Sequence, residues 1–98
     1  MNESVPKLSI LISVYGQVHK LKYCLSCIQK TLLDQIHYEI LIIDDASVDG
    51  TTHFIESLAS NHRVFFNHEN KSFAKYNNFL ARKARGEYLC LLNSYACV

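Results

Sequence analysis

Four short apolar runs, separated by stretches of helical periodicity, set what this 98-residue chain can fold into. Residues 8–14 (LSILISV) are rich in Ile, follow Pro6 and are closed by Gly16, the pattern of a strand buried on both faces. Residues 38–43 (YEILII), 63–67 (RVFFN) and 88–92 (YLCLL) supply three more strand-like runs. Between the first two, Val18, Leu21, Leu25, Ile28 and Leu32 recur at three- and four-residue steps, one stripe of an amphipathic helix. Phe54, Ile55, Leu58 and Ala59 give a second helix its apolar side, with Ser47 or Asp49 able to cap it. Ser72 can cap a third, whose inner face takes Phe73, Tyr76 or Asn77, Leu80 and Ala84, with Gly86 closing its C-terminus.

Strand and helix alternate to the end, which predicts an α/β protein. The expected form is a Rossmann-like parallel sheet with flanking helices and right-handed crossovers. The chain stops directly after the fourth strand with no covering helix, so residues 1–98 read as one incomplete domain, truncated from something longer. Hydrophobic residues at 49% and charged residues at 19% are globular rather than disordered composition. Ten Lys and Arg against nine Asp and Glu leave a net charge of +1, which gives no pull toward nucleic acid or an anionic membrane. No apolar run approaches the roughly 20 residues that span a bilayer. The start, MNESVPK, is polar and unlike a signal peptide, so the expected location is cytoplasmic.

Cys24 and Cys27 form a C-x-x-C, and Cys90 and Cys97 lie near the C-terminus. Zinc would want two tight pairs, whereas here Cys24 falls at the edge of a helical stripe, Cys27 outside it, and Cys90 within a strand. Free thiols are the plainer expectation. The five histidines show no ligand spacing.

In open α/β sheets ligands sit outside the carboxyl ends of the strands. Those ends here are residues 13–16 (SVYG), 44–47 (DDAS), 67–70 (NHEN) and 93–96 (NSYA), all polar. Asp44 and Asp45 are adjacent on an extended segment and so point to opposite faces. One can accept hydrogen bonds from a ligand while the other holds the following turn; alternatively both form an Asx-turn before the helix. Tyr15 can stack on a ring or be an ordinary surface aromatic. Asn77, on an inner helical stripe, must find partners for its amide and is expected to tie the helix to neighbouring loops. Lys71, Lys75, Arg82, Lys83 and Arg85 make a mostly solvated basic face, of which Lys71 and Lys75 lie near the ligand edge and can meet a phosphate.

Taken together, LSILISVYG, YEILIIDDASVDGT, NKSFAKYNN and ARGEYLCLLNSY resemble, in order and spacing, the family 2 glycosyltransferases of the GT-A fold, with a rhamnosyltransferase-like fourth block. The resemblance covers residues 7–98 and implies binding of a nucleotide-diphospho-sugar, a UDP- or dTDP-sugar, for transfer to an acceptor hydroxyl. By the same resemblance, Ser13, Val14 and Tyr15 cradle the base, with Gly16 replacing the usual Asn, and Asp45 accepts from the base N–H. Ser47 belongs to the same edge, the block holding Asn77 packs under the sugar-diphosphate, and the Asn93 amide contacts the ribose.

The family expectation of Mg²⁺ or Mn²⁺ rests on an acid at the end of the fourth strand, where this chain has Tyr95, a poor ligand for a hard cation. The resemblance also puts the acceptor site and the catalytic base beyond residue 98, so no catalytic residue is expected within the chain. Two readings from other classes compete. A non-catalytic remnant or interaction module would keep the fold without the chemistry. A phospho-receiver domain would place its acidic pair after the first strand and an Asp at the end of the third, and this sequence does neither.

Overall fold

The computed structural model describes residues 5–32, 35–45, 50–67 and 73–93, with the side chains of Phe73, Ala74 and Asn93 outside that description. The elements run β1 (Leu8–Val14), α1 (Val18–Leu32), β2 (Tyr38–Asp45), α2 (Thr51–Ser57), β3 (Arg63–Asn67), α3 (Phe73–Lys83) and β4 (Tyr88–Asn93). All strand pairs are parallel and the spatial order is β3-β2-β1-β4. Handedness explains where the helices go. The crossovers through α1 and α2 both step from β1 toward β3, and the crossover through α3 steps back past β1 to β4. Right-handed connections that step in opposite directions put their helices on opposite faces.

Side-chain alternation divides the core accordingly. Ile10, Ile12, Val14, Ile40 and Ile42 pack with Leu21, Cys24 and Ile28 of α1 and Ile55 of α2. Leu11, Leu41 and Ile43 pack with Tyr76 and Leu80 of α3. The runs of β1 and β2 are continuous because those strands are covered on both sides, whereas Leu89 and Leu91 of β4 are exposed. Cys24 is fully buried rather than at the margin of its stripe, since α1 turns Leu21, Cys24 and Ile28 together into the sheet. Cys24, Cys27 and Cys90 are free thiols, and Cys97 lies outside the described residues.

The amino-terminal edge of the sheet is closed by a polar lock. Ser9, wholly buried, donates from Oγ to Glu39 Oε2 at 2.6 Å and accepts from the Gly86 N–H at 2.7 Å. Glu39 also accepts from the Arg85 N–H at 2.7 Å and pairs with Arg63 at 3.4 Å, while Arg63 donates to the Lys83 carbonyl at 2.6 Å and so caps the end of α3. Gly86 is required here for space and not as a helix cap: a Cβ on it would strike Ser9 Oγ and come within 2.6 Å of the Ser9 backbone nitrogen. Partial burial pushes the Glu39 pKa up, but the hydrogen bonds from Ser9, Arg85 and Arg63, with the Arg63 charge, outweigh it and hold the group below its ordinary 4.5. Burial lowers the pKa of His62 below 6.5.

Gly86→Ala therefore destabilises the fold by about 1–3 kcal/mol, as overpacking does, and shifts the urea midpoint without changing the slope. Both depressed pKa values act in the same direction with pH. The unfolded chain binds each proton first, so the stability they contribute is whole above pH 6.5 and falls on acidification, through His62 below 6.5 and then through Glu39 below 4.5. Glu39→Gln removes the second part of that fall, and urea melts between pH 7 and pH 3.5 measure it.

Candidate functional site

The carboxyl end of β2 carries two buried acids that part company. Asp44 (2% exposed) lies on the α1/α2 side and accepts from Thr52 Oγ1 in the first turn of α2. That helix has Gly50 at its cap position, with no side-chain cap; Ser47 and Asp49, the expected caps, lie outside the described residues. Asp44 thus ties the first turn of α2 to the end of β2 on one face of the sheet, as strand alternation allows one member of the pair to do.

Asp45 (7% exposed) lies on the α3 side and accepts from the Tyr76 hydroxyl. That hydroxyl in turn accepts from Asn67 Nδ2 at 2.9 Å. Three elements are joined in one chain of bonds, β3 to α3 to β2, and bonds linked this way polarise and strengthen one another. The sequence offered Tyr76 and Asn77 as alternatives for the inner face of α3, and both are buried. The part Tyr76 plays at Asp45 was missed; an inward tyrosine whose hydroxyl must find a partner was the available signal.

On the same side of the sheet, Ser13 Oγ and Asn77 Oδ1 are buried and have no hydrogen-bond partner among the described residues. Asn77 is expected to tie α3 to neighbouring loops, and loop residues 46–49, 68–72 and 94–98 lie outside the described residues. Buried polar atoms in native proteins are nearly always bonded, and exceptions cluster where a ligand or ordered water completes them. Val14 is buried among the core side chains and offers a ligand only its main chain. Tyr15 is 52% exposed at the lip of the sheet.

The turn after Tyr15 is made by two consecutive residues of positive φ, Gly16 at 67° and Gln17 at 57°. Glycine adopts that conformation freely, whereas the second, non-glycine residue costs about 1–2 kcal/mol. The Gln17 carbonyl then accepts from the Lys20 N–H at 3.0 Å and starts α1. Strand order adds what spacing could not: β1 lies between β2 and β4, so the sheet changes its direction of winding there, and the crevice of such folds opens at that point. Ser13 pairs in register with Asn93 across it. Asn93 has a described backbone only, and residues 94–98 lie outside the description. Among the described residues no group of three His, Cys, Asp or Glu could hold a metal ion.

Comparison with known proteins fits this architecture. The pattern of glycosyl transferase family 2 matches residues 9–94. The chain belongs to that family. An uncharacterized glycosyltransferase of Rickettsia conorii is 32% identical over 91 residues, covering 90% of this chain and 14% of that protein. Glycosyltransferase AglE of Haloferax volcanii is 31% identical over 51 residues, 52% of this chain and 17% of its own length.

Among solved structures, the mannosyltransferase PcManGT of Pyrobaculum calidifontis, in complex with GDP-Man and Mn²⁺, superposes with a TM-score of 0.77 at 23% identity. That match covers 96% of this chain and 29% of PcManGT. S. aureus TarS in complex with UDP-GlcNAc gives 0.79 at 23% identity, over 91% of this chain and 26% of that one. These likenesses establish the GT-A fold. The family 2 chain described here thus spans under a third of the length of these relatives.

Tyr76→Phe in this family 2 domain removes the donor to buried Asp45 while leaving the ring in place. It lowers unfolding stability by about 1–3 kcal/mol, the cost of a buried polar group left short of a partner, in thermal or urea melts.

Proposed function

We propose that this chain binds the nucleotide-diphospho-sugar donor of a glycosyl transfer, at the carboxyl edge of β1, β2 and β4. The observation that carries the reading is a buried acid, Asp45, on the same side of the sheet as two buried polar atoms without partners among the described residues, Ser13 Oγ and Asn77 Oδ1. Asp45 accepts an N–H from the base, held in orientation by Tyr76. Ser13 and the main chain of Val14 line the base pocket, and Tyr15 stacks on the ring. Ser47, Asn77 and Asn93 complete the polar edge, with Asn93 toward the ribose. An imide N–H facing a carboxylate suits uracil or thymine, so the donor is a UDP- or dTDP-sugar; a UDP-sugar occupies TarS, a protein of the same fold.

Mn²⁺ accompanies GDP-Man in PcManGT. The residues of this chain do not fit such an ion at the corresponding strand end. Residues 93–95 are Asn, Ser and Tyr, and residues 88–98 hold no acidic side chain. Glu87 itself pairs with Lys7 at 3.4 Å at the opposite edge of the sheet. A hard cation wants carboxylate oxygen, so donor binding by this chain is proposed to be independent of metal. What the chain contributes to transfer is recognition and orientation of the nucleotide.

The test is an amide-resolved NMR titration of the 98-residue chain with UDP, with and without Mn²⁺. Shifts are expected at residues 13–16, 45–47 and 93–96, with the same affinity in both series. Asp45→Asn, which turns an acceptor toward a donor at the base, should weaken UDP by about tenfold or more. No shifts at millimolar UDP would replace this reading with a folded module that binds no donor, the alternative favoured by Tyr95.

A further inference from the structure

The bonds around Asp45 have a direction. A carboxylate only accepts hydrogen bonds, and a tyrosine hydroxyl has a single proton to give. The Tyr76 hydroxyl gives that proton to Asp45 Oδ1. Its 2.9 Å contact with Asn67 must then run the other way, with Asn67 Nδ2 donating to the hydroxyl oxygen. The order Asn67 to Tyr76 to Asp45 is fixed by this chemistry, and it ends on an acceptor.

Packing holds the hydroxyl in place. The Tyr76 ring, 4% exposed, lies in the core cluster of Leu11, Leu41, Ile43 and Leu80. An interior at this density gives a ring no room to swing aside. One oxygen of Asp45 is therefore engaged before any ligand arrives. The acid itself is 7% exposed, so what it offers a ligand is a narrow edge of the carboxylate.

Bases differ in what they bring to such an edge. Uracil and thymine present a single ring N–H between two carbonyls. Guanine presents two neighbouring donors, a ring N–H and an exocyclic amine, which match both oxygens of a carboxylate. A donor carried into a buried site without an acceptor of its own is penalised, and discrimination of this kind exceeds what the shape of an apolar pocket provides.

We propose that Tyr76, oriented by Asn67, is a positioning residue that sets base selectivity: by occupying Asp45 Oδ1 it leaves the acid one oxygen, which takes a single ring N–H and disfavours the paired donors of guanine. The assignment rests on the donor-edge reading above and extends it from Asp45 to the two side chains behind it. Hypoxanthine separates donor count from size, since it is a purine with the ring N–H of guanine and without the amine.

Calorimetric titration of the 98-residue chain with UDP, inosine diphosphate and GDP tests this. UDP is expected to bind, and inosine diphosphate to bind about tenfold tighter than GDP. In Tyr76→Phe, which frees the second oxygen, that tenfold preference falls to about one; a merely structural role would weaken all three nucleotides together and leave their ratios alone. The wild-type comparison of the two purines decides the matter even where the variant does not fold. Absence of UDP binding would overturn the donor edge itself. UDP binding with inosine diphosphate no tighter than GDP, or an unchanged ratio in folded Tyr76→Phe, would overturn the part assigned to Tyr76 and leave the donor edge standing.

Discussion

Two acids adjacent in sequence and both buried, Asp44 and Asp45, govern how the carboxyl edge of this sheet is built. A strand sends neighbours to opposite faces, so each acid needs its own partner from a different layer. Thr52 of α2 supplies one and Tyr76 of α3 the other. The first bond fixes where α2 begins and the second draws the amino-terminal half of α3 onto β2. Neither helix could slide along the sheet without stranding a buried acid, which is far costlier than losing apolar contact of the same size. The pair therefore sets the register of both helical layers at the edge where ligands of such folds bind.

The opposite edge is solved differently. Ser9, Glu39, Arg63, Arg85 and Gly86 form a closed set in which the buried hydroxyl both donates and accepts. Among the described residues, Ser13 Oγ and Asn77 Oδ1 have no partners at the carboxyl end. A sequence that satisfies its buried polar groups at one edge has the means to do so at the other. Departure from local consistency at one end only is the pattern expected of the donor edge proposed above.

Much of this was legible from residue order. The four strands and the three helices fall where the periodicity puts them, because the two central strands, covered on both faces, are written as unbroken apolar runs. That Asp44 and Asp45 point to opposite faces followed from alternation alone. What spacing could not carry was strand order, which depends on which edge a crossover chooses. The burial of Cys24 was misjudged by a small rotation of α1, and Gly86 was assigned to helix termination when its reason is a backbone passing against Ser9, a contact 77 residues away. The tie from Tyr76 to Asp45 spans 31 residues and was illegible for the same reason: its partner is set by the packing of α3 on β2. Ser47 and Asn93, named from the resemblance, have no described side chains, so their part in the site rests on that resemblance.

The left-handed turn at Gly16 and Gln17 joins these threads. The crossover from β1 must leave the sheet toward α1 on one face, yet the crevice beside β1 opens at the strand end itself. A helical or extended continuation would carry the chain across that opening. Two residues of positive φ instead reverse it at once, leave Tyr15 standing exposed at the lip, and let the Gln17 carbonyl begin α1. Gly16 accepts the conformation at no steric cost, as an Asn would at small cost, which accounts for the exchange of one for the other at this position. Gln17 bears the strain of a turn that ends β1 and starts α1 within two residues.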